Sequence, residues 1–196
     1  MPEFSFRDDG HIYTLDNVII PSVTQTLAVK YFCDDWYKEK GKYVHEMAEL
    51  YRQGRLDEDT LDEQLKPYLD ALKKFEREAP HVKGIIDYKS GTFAKWHLLQ
   101  TAAYRELWLN GIDENGNPLR EIAKGFEVKG YHPVYRYGGK IDIVDIADGD
   151  KFPPAFALYL QDTGRYKLEP VTDIRRHIQA FLTLVTAGYI REEYKI

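Results

Sequence analysis

The chain has 196 residues, a net charge of −5 and a hydrophobic share of 43%, which suits one domain, residues 1–196, with a sizeable core and excludes a disordered chain. Its single cysteine, Cys33, excludes an internal disulfide, fits a reducing compartment and, without a Cys/His spacing motif, argues against structural zinc. No apolar run approaches the length of a membrane span and the N-terminus lacks a signal-peptide pattern, so a soluble, cytoplasmic protein is expected.

Residues 4–6 and 12–15 flank Asp8-Asp9-Gly10 and predict a hairpin. Ser22 followed by Gln25 is a capping-box start for a short helix. A second helix is expected over 35–53, with Val44, Met47, Ala48 and Tyr51 on one face and His45 and Glu49 beside it. A third, over 59–78, would bury Leu61, Leu65, Tyr68, Leu69, Leu72 and Phe75, with a kink or break at Pro67. A strand over 84–89 and a helix over 94–109 follow, then a turn-rich excursion at 113–118. Strands 126–136 and 140–147 read as one hairpin, and 156–161 with 165–169 as another around Asp162-Thr163-Gly164. A closing helix over 173–190 would face the core with Ile174, Ile178, Phe181, Leu182 and Val185. The pattern predicts one α/β domain with a mixed sheet between helices.

The stretch Ile85-Ile86-Asp87-Tyr88-Lys89 carries the most chemistry. Strand side chains alternate faces, so Ile85, Asp87 and Lys89 share one face and Ile86 and Tyr88 the other. A carboxylate beside an ammonium suits metal-assisted hydrolysis: the acid holds a divalent cation, and the lysine orients water or offsets charge on a phosphate. A surface ion pair on an edge strand has the same pattern, and a lysine there would be near solvent and add little stability. Three further pieces accompany it. Gly139-Lys140-Ile141-Asp142 puts an acid on a strand. Gln100 and Tyr104, four apart, occupy one helix face. Gly41 precedes His45 by four on an earlier helix. Each also has a bland reading: a solvated strand acid, a helix surface pair, a core histidine.

Together these motifs resemble the PD-(D/E)xK nuclease superfamily, and within it the RecB-like and phage-type exonucleases. The matching segments are Gly41…His45, Gly139-Lys140-Ile141-Asp142, Ile86-Asp87-Tyr88-Lys89 and Gln100…Tyr104, and Ile20-Pro21-Ser22-Val23-Thr24-Gln25 looks like the phage branch. The resemblance implies a restriction-endonuclease-like mixed sheet flanked by helices and a metal-dependent DNA exonuclease of phage recombination type. By it, His45, Asp142, Asp87 and the Tyr88 backbone carbonyl would hold Mg²⁺ or Mn²⁺, and Lys89, Asp87 and Asp142 would be catalytic. Gln100 and Tyr104 would contact DNA or brace the site, and Glu127 is a weaker candidate acid. DNA is the implied partner, with a single-strand annealing protein or further copies of the chain as candidate associates.

One departure stands out. In the family the G-x-I-D strand precedes the D-x-K strand, whereas Asp142 here follows Asp87 by 55 residues. Blocks 84–124 and 125–151 therefore stand in exchanged order. A cation shared by Asp87 and Asp142 makes strands 84–89 and 140–147 the expected neighbours, and in that order the helix over 94–109 would lead back across the sheet against the right-handed preference for crossovers. Either the helix changes face, the strands reorder, or a disfavoured connection forms. The acidic total is not that of a nucleic-acid coat protein, but a local basic groove is compatible with it. Arg165, Lys167, Arg175 and Arg176 are the first candidates for phosphate contacts, with Lys40 and Lys42 second. Two other readings stay open: a nuclease-like module that binds DNA without cutting, and a structural variant with no DNA activity.

Overall fold

The computed structural model describes residues 4–7, 12–15, 17–27, 35–80, 82, 84–111, 117–118, 132–135, 141–144 and 153–194. At the N-terminus β1 (Phe4–Arg7), β2 (Ile12–Leu15) and β3 (Val18–Ile20) form an antiparallel sheet in that order. The expected hairpin is present, with Phe6 opposite Tyr13. The third strand was not expected; Asn17, at φ 64°, makes the tight turn into it, a conformation asparagine tolerates. Helix α1 (Val23–Thr26) starts on the predicted capping box. The Gln25 N–H donates to Ser22 Oγ at 3.2 Å, and the Ser22 N–H donates to Gln25 Oε1 at 2.8 Å.

Helix α2 (Asp35–Arg52) buries Val44, Met47 and Ala48. Helix α3 (Lys66–Glu78) buries Tyr68, Leu69, Ala71, Leu72 and Phe75. It begins later than the apolar periodicity suggests. Pro67 lies in its first turn, where a missing N–H leaves no hydrogen bond unmade, so it opens the helix rather than kinking it. The preceding residues form turns instead. Asp57 and Asp62 accept the backbone N–H groups of Asp59 and Gln64, a local bond that competes with helix. Leu61 and Leu65 still pack on the core, from those turns.

The central sheet is small and mixed, in the order β4 (Ile85–Lys89), β7 (Ala155–Leu160), β8 (Tyr166–Pro170). β4 runs parallel to β7, and β7 antiparallel to β8. All six residues of β7 are buried, as an apolar run covered on both faces should be. Phe156, Leu158, Leu160 and Leu168 join α2 and α3 in the larger core cluster. Ala155 and Val171 pack on the opposite side with Ala102 and Leu98 of α4 (Lys95–Leu109) and with Ile174 and Ile178 of α5 (Ile174–Tyr194). The sheet is thus enclosed between helices. Gly84 pins the start of β4: at φ 153°, a Cβ there would lie 2.3 Å from the Pro154 carbonyl oxygen, which accepts the Ile85 N–H at 2.9 Å.

The strand order answers the question raised by the exchanged blocks. Helix α4 connects β4 to its parallel neighbour β7, packing on both. Between α4 and β7 the chain makes the antiparallel hairpin of β5 (His132–Tyr135) and β6 (Ile141–Val144), which forms a separate two-stranded sheet with β5 close to β8. The expectation that 84–89 and 140–147 are neighbours is therefore corrected. The D-x-K strand pairs with β7, and the hairpin lies by the far edge of the sheet. A ready-made parallel partner of continuous apolar character wins over the hairpin, whose two strands already satisfy one another. In α5, Ile174, Ile178, Phe181 and Val185 are half-buried as expected, but Leu182 is 53% exposed. It falls beside, not within, the narrow stripe that residues 174, 178, 181 and 185 make on one face. No helix among the described residues is long and apolar enough to cross a membrane.

Candidate functional site

The alternation of β4 turns Asp87 and Lys89 toward α4, while Ile86 and Tyr88 pack with the α2–α3 core. Lys89 Nζ lies 2.8 Å from Asp87 Oδ2, with side-chain exposures of 11% and 5%. The pair is therefore not the solvent-facing one that an edge strand suggests. Helix α4 covers it, and its residues supply the remaining hydrogen bonds. Lys89 donates to Gln100 Oε1 at 2.6 Å, and Gln100 Nε2 donates to the Tyr104 hydroxyl at 2.8 Å. The i, i+4 pair Gln100 and Tyr104 thus orients an amide whose oxygen holds the lysine. The Lys89 ammonium also lies 5.9 Å from the centre of the Trp96 ring.

Thr101 was missed by sequence reasoning, although it sits inside the Gln100…Tyr104 motif. It is fully buried, and its hydroxyl donates to Asp87 Oδ2 at 3.0 Å while lying 2.9 Å from the His97 carbonyl oxygen. Both contacts to Asp87 fall on Oδ2, so among the described residues Oδ1 takes no hydrogen bond. His97 and Tyr159 complete the layer beneath. The Tyr159 hydroxyl is 2.8 Å from His97 Nδ1, which also accepts the Ala94 N–H at 3.3 Å. Burial first, and the Lys89 charge second, push the His97 pKa down to about 4. Burial, then the nearby Glu169 and Asp87 carboxylates, push the Tyr159 hydroxyl up. The imidazole is thus neutral and the phenol protonated at neutral pH, and the buried layer adds no charge beneath the ion pair.

His45 reaches the site from α2. Gly41, one turn earlier, lies beside the end of β4, where a Cβ would meet Ser90 Oγ at 3.6 Å, an ordinary contact distance. His45 is not a core histidine: its residue is exposed, and its ring meets Tyr88 edge-on at 6.2 Å between centroids. Loss of hydration on the protein side lowers its pKa; the Asp87 carboxylate pulls the other way, Lys89 adds to the lowering, and the Tyr88 backbone opposes it. The Tyr88 hydroxyl is buried without a hydrogen-bond partner among the described residues.

These groups line one cleft of about 490 Å³, formed by His45, Gln100, Tyr104 and Trp108 with every residue of β4 from Ile85 to Lys89. Side chains on both faces of a strand can line a single cleft only where its backbone edge faces that cleft. The site is therefore at the edge of β4 away from β7. Trp108 is a second residue missed from sequence; its signal was its spacing, four residues beyond Tyr104.

Other candidates lie elsewhere. Asp142 is on the hairpin by β8, where its backbone is opposite Val134, and its carboxylate lies outside the described residues. Glu127 also lies outside them. Lys167 shares the Lys89 sheet face two strands away, paired with Glu169 and 5.3 Å from the centre of the Phe93 ring. Arg165 is exposed at the β7–β8 turn, and Arg175 and Arg176 are exposed in the first turn of α5; none of the three lines the cleft. Among the described residues no group of three or more His, Cys, Asp or Glu side chains is placed to share a metal ion. Comparison with protein-family models, with curated proteins and with solved structures gave no match to this chain.

Proposed function

We propose that the chain is a metal-dependent deoxyribonuclease, an exonuclease of phage recombination type built on a restriction-endonuclease-like fold. The observation that carries this reading is the Asp87–Lys89 pair at 2.8 Å, set at one cleft with His45 and held by Gln100 and Tyr104. The donors suit Mg²⁺ or Mn²⁺: a carboxylate with one oxygen that takes no hydrogen bond among the described residues, a backbone carbonyl and an imidazole whose lowered pKa favours the neutral ligand form. Asp87, the Tyr88 carbonyl and His45 would hold the ion, which when bound polarises a phosphate and activates water. Lys89, fixed by Gln100, would offset charge developing on the phosphate. Restriction to a DNA end, and any annealing-protein or self-association partner, belong to the same proposal.

Incubation of duplex and single-stranded DNA with the purified chain tests it. Hydrolysis is expected with Mg²⁺ or Mn²⁺, none with EDTA, and none from Asp87→Asn or Lys89→Met. Metal-independent cleavage, or full activity in both variants, would remove the assignment. A second reading is favoured by one observation. The strand bearing Asp142 lies away from β4, leaving one described carboxylate at the cleft. A nuclease-like module that binds DNA without cutting would need no second acid. Retained DNA affinity without hydrolysis in either metal would select it.

A further inference from the structure

The cleft has two chemically different ends. His45, Asp87 and Lys89 make one end ionic, while Tyr104 and Trp108 extend it along α4 as an aromatic wall. Gln100, Tyr104 and Trp108 are spaced by four and share one helix face. At 1.5 Å of rise per residue, Trp108 stands about 12 Å along the helix from Gln100, the residue that holds Lys89. Trp108 is 36% exposed, while the adjacent Leu109 is 1% exposed. The core side of the last turn is therefore filled without Trp108, whose indole is left to the cleft.

An ionic centre and an aromatic surface in one cleft fit a polymer that alternates charge with flat rings. The separation of about 12 Å is too long for one nucleotide at the stacked rise of about 3.4 Å and suits a strand of about three or four. Within a duplex both faces of each base are covered by neighbours, so an indole can stack only on an unpaired or terminal base. Stacking of that kind is indifferent to base identity.

We infer that Trp108 is a base-stacking platform, and that the cleft takes an unpaired single strand with a phosphate at the Lys89 end and a base on the indole. This rests on the nuclease reading and names its substrate class. Trp108 makes no contact with the reacting atoms in this account; it is a binding residue, and a duplex reaches the site only where its end has frayed.

The experiment measures binding to labelled oligothymidylate of about four nucleotides, the length of the cleft, and to a blunt duplex, with Ca²⁺ replacing Mg²⁺ to suppress cutting. Wild type, Trp108→Ala and Trp108→Phe are compared. A second series uses the same single strand with one abasic position moved along it. Loss of one stacked base corresponds to about 5- to 150-fold in affinity. The expected result is a loss of that size for Trp108→Ala on single strands and a smaller loss for Trp108→Phe. Wild type should show one abasic register that binds as weakly, and the alanine variant should not distinguish registers. Equal affinity of wild type and Trp108→Ala for single strands overturns the platform and leaves the nuclease reading standing. If the alanine variant does not fold, a wild-type abasic series with no weak register overturns it equally. Absence of binding to any DNA at low salt overturns both, and that outcome differs from the preceding ones because it appears in the wild type.

Discussion

Replacement of Lys89 by methionine tests the description of the site independently of any activity. Methionine keeps most of the apolar stem and removes the ammonium. Three contacts go with it: the ion pair to Asp87 at 2.8 Å, the hydrogen bond to Gln100 Oε1 at 2.6 Å and the approach to the Trp96 ring at 5.9 Å. Asp87, whose side chain is 5% exposed, then keeps only the Thr101 hydroxyl among the described residues. Removing one partner of a buried pair costs about 3–5 kcal/mol, because the other charge is left uncompensated. For a chain of this length, each kcal/mol corresponds to about 2–4 °C, so the melting temperature should fall by about 6–20 °C. Asp87→Asn in the same background removes the orphaned charge and leaves an amide oxygen for Thr101. The double variant should therefore be more stable than Lys89→Met alone. Urea unfolding of the four proteins gives the coupling energy directly. A Lys89→Met stability within about 0.5 kcal/mol of wild type, the range of ordinary surface substitutions, would refute the buried-pair account.

Tyr88→Phe should leave stability unchanged or raise it by up to about 1 kcal/mol, since the buried hydroxyl has no partner among the described residues; a lower urea midpoint would contradict this. Acidification should weaken the fold through His97. Its folded pKa of about 4 lies below the ordinary value of 6.5, so the unfolded chain binds the extra proton between those values, and stability falls as pH drops from about 6.5 toward 4. His97→Gln should flatten that slope by about one proton in pH-dependent urea titrations. Arg175→Glu with Arg176→Glu should weaken DNA binding by similar factors on unrelated sequences and make its salt dependence shallower; an effect confined to one sequence would argue against phosphate contacts.

The sequence alone determined what depends on local backbone geometry. A period of two put Asp87 and Lys89 on one strand face, and a period near 3.6 put Gln100 with Tyr104 and aligned the buried residues of α3. The capping box at Ser22 was equally legible, because both of its hydrogen bonds are made within four residues. What the sequence could not decide was which surfaces meet. An isolated D-x-K strand reads the same whether its charges face water or a helix. Only the packing of α4 across β4 buries the pair, brings Thr101 to Asp87 and turns Gln100 into a brace for Lys89. Strand neighbours were misassigned for the same reason. Pairing β4 with β7 joins residues about 70 positions apart; the apolar run of β7 signals that both its faces are covered but not which strand lies beside it. That choice set the β5–β6 hairpin beside β8 and left the outer edge of β4 to the cleft. Local periodicity assigns a side chain to a face; tertiary packing determines what that face touches, and hence the chemistry it can do.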